Sequence, residues 1–192
     1  MILAAEHRRT RWKNGGGETR EIAIAPHGAS VDDFDWRLSI ATVAGDGPFS
    51  CFPGIDRTLC ILDGAGVRLT IDDADPLTVG REDAPLAFRG ESAIHSVLID
   101  GSVTDFNVMT RREAYSHEVA RSTLGTNDSL LIPGEVTAVF CAAGSIAVTM
   151  PDGSVATLSP EDTLLAGGTA VTARSAAGAT LLLVTIRGVN HA

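Results

Sequence analysis

The residues of this chain best suited to chemistry gather around Arg57, in the stretch GPFSCFPGIDRTLCILDGAG. Pro48, Pro53 and Gly54 restrict the backbone ahead of it. The run Thr58–Leu62 that follows is short, apolar and bounded by turn signals, as a buried strand should be. Gly64 and Gly66 then predict a hairpin. Arg57 therefore stands where a rigid loop meets an apolar core. A guanidinium there offers a planar fork of donors matched to the two oxygens of a carboxylate. Arg20 and Arg37 join it if their strand faces point the same way, and Asn14, Ser39, Ser50 and Asn107 can add neutral hydrogen bonds. The structural alternative is an ion pair of Arg57 with Asp56 or Asp105.

The elements that must position these groups read as strands throughout. Three glycines in WKNGGGETREIAIAP precede an alternating segment, Thr19–Ala25. They form either a plain flexible loop or a loop whose N–H groups face a site; no G-K-[ST] follows, so it is not a phosphate loop of the Walker type. Trp36–Ala44 alternates, with Trp36, Leu38 and Ile40 on one face and Arg37, Ser39 and Ala41 on the other. Such a strand is either a half-solvated edge, the more usual case, or the wall of a polar pocket. Residues 1–19 read as irregular and 115–132 as a connector; short β-like runs fill the rest, and no long amphipathic helix is evident. LCILDGAGVRLTIDDADPLTVGREDAPLA aligns with AVFCAAGSIAVTMPDGSVATLSPEDTLLA at a constant offset of 79 residues. Thr70 then matches Thr149, Glu82 matches Glu161, Asp83 matches Asp162 and Leu86 matches Leu165. Two copies of one β unit predict two jelly-roll (double-stranded β-helix) barrels in one chain, the first over 1–112 and the second over 113–192.

Composition narrows the function classes. The chain has 192 residues, is 44% hydrophobic and 20% charged, and carries a formal net charge of −9. That sign repels phosphate backbones and anionic membranes, so neither nucleic acid nor a membrane is expected as a partner. Cys51, Cys60 and Cys141 form no C-x-x-C pair; their odd number and the apolar surroundings of Cys60 and Cys141 argue for reduced, buried thiols and a cytoplasmic setting. The apolar run in MILAAEHRRTRWK is too short for a signal segment, and no run approaches a membrane span.

A duplicated β barrel invites comparison with the cupins. If the last Gly of the first cupin motif, GxxxxxHxHxxxxExxxxxxG, is set on Gly64, its Glu falls on Arg57 and its two His fall on Ser50 and Phe52. The usual metal ligands are thus replaced, His95 is left as a lone candidate, and no metal or other cofactor is expected. An Arg in that position makes the cavity a poor host for a cation and a good one for a carboxylate.

WKNGGGETREIAIAP, DFDWRLSIATVAGDGPFSCFPGIDR and DFNVMTRR together resemble the HutD/Ves family of bacterial proteins. The resemblance implies a bicupin without the usual metal set and an accessory or regulatory role in histidine utilisation. It also implies binding of a small pathway metabolite, formiminoglutamate or urocanate being the proposed examples, but brings no established catalytic residues. The matching motif positions here include Trp12, Asn14, Thr19, Arg20, Arg37, Ser39, Phe49, Ser50, Phe52, Arg57, Asp105, Asn107 and Met109. From these the expected ligand-binding set is Asn14, Thr19, Arg20, Arg37, Ser39, Phe49, Ser50, Phe52, Arg57 and Asn107. The leading reading is a non-enzymatic binder of a small anionic metabolite. A metal-independent enzyme using His95, Asp56 or Asp105 as base, and a protein-interaction module, stay open, as does a homodimer.

Overall fold

The computed structural model describes residues 1–12 and 15–189. Apart from a short 3-10 turn at Ala4–Glu6, its regular elements are strands. The chain forms two compact units: Arg8–Ser116 with Gly188 and Val189, and Met1–His7 with His117–Arg187. Among the described residues no helix is long and apolar enough to cross a membrane.

The first unit contains β1 (Arg8–Arg11), β2 (Gly17–Ala25), β3 (Trp36–Val43), β4 (Gly47–Pro48), β5 (Ile55–Asp63), β6 (Val67–Ile71), β7 (Leu77–Val79), β8 (Leu86–Arg89), β9 (Ile94–Leu98) and β10 (Val103–Arg111). One sheet has the order β1-β2-β3-β10-β5-β8 and a second β4-β9-β6-β7. Both are antiparallel and open. Leu59, Ile61 and Val103 of the larger sheet pack with Val67, Leu69, Val79 and Ile94 of the smaller. Burying such side chains contributes about 1.5–3 kcal/mol each, which is what holds two half-apolar sheets together.

The second unit is built on β11 (Tyr115–Leu124), β12 (Ser129–Ile132), β13 (Ala138–Thr149), β14 (Val155–Leu158), β15 (Thr163–Leu165) and β16 (Val171–Gly188). Its sheet runs β11-β16-β13-β14, with β12 on β16 and β15 on β13. The N-terminus is tied to it: Ile2 and Thr163 exchange backbone hydrogen bonds of 2.8 and 2.9 Å.

The repeat seen in the sequence is a repeat of hydrogen-bond register. Val67 pairs with Val79 and Leu69 with Leu77; 79 positions on, Ile146 pairs with Leu158 and Val148 with Ala156. Leu59 pairs with Leu86 and Ala138 with Leu165. The shared acidic residue has one job in both copies. Asp83 accepts from the Gly80 N–H at 2.7 Å, and Asp162 from the Ser159 N–H at 2.9 Å.

Four sequence expectations are corrected. Gly64 and Gly66 do not close a hairpin, because β5 and β6 belong to different sheets. Their positive φ values, 96° and 102°, carry the chain across, and a Cβ would lie 2.6 Å from the Ser102 carbonyl at Gly64 and 2.5 Å from that of Val79 at Gly66. Residues 1–19 and 115–132 contain strands, β1, β11 and β12, that a hydrophobic pattern misses because β1 and β11 are charged edge strands. The short β-like runs expected along the rest of the chain join in two places into long single strands, β13 and β16, paired through register shifts. Finally, Trp36–Val43 is no half-solvated edge: β3 lies between β2 and β10.

Candidate functional site

A cavity of about 450 Å³ opens in the first unit, within the usual size of a small-molecule site. Strand alternation explains its lining. On β3, Arg37, Ser39, Ala41 and Val43 face it, and on β10, Asp105, Asn107 and Met109 do. Met109 is in register with both Arg37 and Arg57, so the two guanidinium-bearing residues flank one position of the central strand. Thr19 comes from β2 and Ser96 from β9, and the loop running through Phe49, Ser50 and Phe52 covers one side.

Arg57 is 8% exposed. Its Nη2 donates to Asn107 Oδ1 at 2.9 Å, and Nη1 makes a long 3.4 Å bond to the Ser50 carbonyl. Three phenylalanine rings surround the guanidinium carbon, with centroids at 5.4 Å for Phe49, 5.5 Å for Phe52 and 5.0 Å for Phe88. Such faces attract a cation. Burial lowers the Arg57 pKa to about 10, opposed by the Asp105 charge and helped by that of Arg37; the group is still a cation at neutral pH. Its Nε is buried without a hydrogen-bond partner, as is the hydroxyl of Ser96. An unpaired buried donor costs about 1–3 kcal/mol, a cost both atoms carry in this structure.

Asn107 links the cation to an acid. Its Nδ2 donates a short hydrogen bond to Asp105 Oδ1, and Asp105 is 3% exposed. Burial pushes the Asp105 carboxyl up to about 7, against the opposing pull of the Arg57 charge and the Asn107 hydrogen bond. Arg37 is neutralised separately, its Nε donating to Glu21 at 2.9 Å. The Trp12 indole donates to the Thr19 hydroxyl at 2.8 Å, which leaves the Thr19 O–H free to donate.

Thr19, Arg37, Ser39, Phe49, Ser50, Phe52, Arg57 and Asn107 line the one cavity. Arg20 does not, because it follows Thr19 on β2 and so projects from the opposite face. Asn14 lies outside the described residues. Of the glycine triple, Gly16 lines the cavity. Gly17 is held by packing, since a Cβ there would lie 2.2 Å from the Thr42 carbonyl. Trp12, Ser96 and Phe88 were not among the expected ligand residues, and nothing in their local sequence marks Ser96 or Phe88. Asp105 had a legible signal, since it is two residues from Asn107 and shares its face. Of the other candidate bases, Asp56 accepts from Arg112 at 2.7 Å and His95 is exposed on β9. Among the described residues no three His, Cys, Asp or Glu side chains cluster as a metal site.

Known proteins resemble this chain in sequence or in fold. Protein Ves of Citrobacter koseri is 44% identical over 103 residues, 53% of this chain and 52% of its own. An uncharacterized 21.2 kDa protein in the hutC 3' region of Pseudomonas putida is 39% identical over 115 residues, 60% of each chain. The match thus spans between about half and three-fifths of these curated relatives. A conserved protein of unknown function from Pseudomonas aeruginosa superimposes with a TM-score of 0.86 at 29% identity, covering 96% of both chains. HutD from Pseudomonas fluorescens SBW25, solved in a formate condition, gives 0.78 at 30% identity, covering 97% of this chain and 98% of that one. A cupin 2 conserved barrel protein from Leptotrichia buccalis, 11% identical with a TM-score of 0.61 over 97% of this chain and all of its own, shares the fold alone. The HutD family pattern matches residues 4–183, and the chain belongs to the HutD family.

Proposed function

We propose that this protein binds a small carboxylate metabolite in the Arg57 cavity and serves histidine utilisation as a cytoplasmic accessory or regulatory protein. The observation that carries the reading is Arg57 itself: a buried cation, walled by phenylalanines, lining a cavity, its two terminal nitrogens each making one hydrogen bond to the protein. Carboxylate oxygens satisfy such a fork. The hutC-region relative and the HutD structure support the pathway assignment. Formiminoglutamate and urocanate are the proposed ligands, since both are anionic and of suitable size. The coinciding registers of the two units support a bicupin in which the unit of Arg8–Ser116 holds the pocket and the unit of His117–Arg187 forms a second barrel.

Calorimetric titration with formiminoglutamate, urocanate and formate tests this. Saturable heat is expected, and Arg57→Ala should weaken binding by about 1.5–3 kcal/mol. Silence toward all three, or an unchanged affinity in the variant, contradicts the reading. Asp105 supports a second reading, a metal-independent enzyme, because a carboxyl titrating near 7 can move a proton at neutral pH. Turnover of a bound acid, lost in Asp105→Asn, would select it.

A further inference from the structure

We propose that a carboxylate entering this cavity brings a proton with it, taken from solvent onto Asp105. The inference rests on the carboxylate reading above and specifies its charge balance. Asp105, Asn107 and Arg57 form one chain of hydrogen bonds along the cavity wall. Asp105 and Arg57 are 3% and 8% exposed, so the two charges balance each other away from water.

A ligand carboxylate replaces Asp105 as the counter-charge of Arg57. Two carboxylates would then share one guanidinium inside a low-dielectric cavity, and a second like charge in such a site raises the pKa of the first. Among the described residues no other lining group absorbs the excess. On β3 the only charge is Arg37, already paired with Glu21 of β2. After β3, the Asp46 carboxylate accepts from the Leu98 N–H at 2.8 Å and adds negative charge. Arg57 is the only charged lining residue of β5, Asp105 the only one of β10, and Ser96 the only lining residue of β9. The proton therefore goes to an Asp105 oxygen, with a buffer acid as its source and no other bond changed. The free Asp105 carboxyl is already raised to about 7 by burial, and the ligand's charge has to carry it well beyond pH 8 for the proton to be held across that range.

Formate and acetate are suitable probes, because both are essentially fully ionised between pH 6 and 8. Calorimetry at pH 8 in buffers of different ionisation heat should show uptake of about 0.9 proton per ligand, falling to about 0.1 at pH 6. The dissociation constant should rise about tenfold from pH 6 to pH 8. Asp105→Asn, a mimic of the protonated acid, should bind with no proton uptake and an affinity that no longer varies with pH. Binding by the wild type without proton uptake overturns the inference and leaves the carboxylate reading standing. No binding of either acid at either pH overturns the carboxylate reading as well. If Asp105→Asn fails to fold, the wild-type measurement in several buffers decides alone.

Discussion

Arg57 does its work through shape as well as charge. A lysine would keep the positive charge but lose both the planar fork and the stacking against Phe49, Phe52 and Phe88. Arg57→Lys is therefore expected to lose most of what Arg57→Ala loses, about tenfold or more in affinity, read by the same titration. Glu21 has a different task. Its carboxylate neutralises a largely buried Arg37, so Glu21→Gln should lower stability by about 1–2 kcal/mol in a denaturant titration. An unchanged midpoint would show that Arg37 finds another partner. At this scale the sequence was legible where alternation and rigid turns fix direction, as for Ser39, Asn107 and Arg57. It was misread at Arg20, where motif membership outweighed the period of two that sets it opposite Thr19. Phe88 was invisible because its role depends on β8 lying beside β5, a long-range pairing.

The elements explain why the polar cluster beside the cavity of the first unit has no counterpart at the matching positions of the second. With the repeat offset of 79, Arg57 matches Val136. Beyond β6 the registers differ by two residues: Leu69 pairs with Ser96, but its counterpart Val148 pairs with Ala173. On that offset Asn107 matches Val184 and Asp105 matches Leu182. Those three counterparts are buried and apolar. The same strand pairing thus holds either a polar cluster beside a cavity or a filled core, and the side chains decide which. The sequence showed this frame through the shared Glu-Asp turns. It hid the edge strands β1 and β11, whose charged faces carry no core signal. Close packing at the first edge is itself testable. Gly17 lies against the Thr42 carbonyl and the Trp12 ring, so Gly17→Ala should cost about 1–3 kcal/mol of stability and weaken ligand binding by displacing Trp12. A variant as stable as the wild type would mean that β2 shifts freely.

For the whole molecule, the buried acid predicts a pH dependence of stability. The Asp105 pKa is about 7 when folded, against an ordinary value of 3.8, so the folded state holds the proton more tightly. Its contribution is fully present below about pH 4 and is lost as pH rises to about 7, by at most about 1.4 kcal/mol per pH unit. Asp105→Asn should remove that slope, which chemical denaturation of both proteins between pH 5 and 8 would show; parallel curves would contradict it. The all-β class and the family were legible in the sequence because three separated motifs occur in order. The cavity was legible through its motif residues, but its full lining was not, because that depends on which faces of β2, β3, β5 and β10 turn inward together. The most direct test of the central claim is a crystal structure of the protein soaked with formate or formiminoglutamate. The account predicts a carboxylate in the first unit with both oxygens within hydrogen-bond distance of Arg57. A cavity holding only water at saturating ligand, or an Arg57 turned out to solvent, would contradict it.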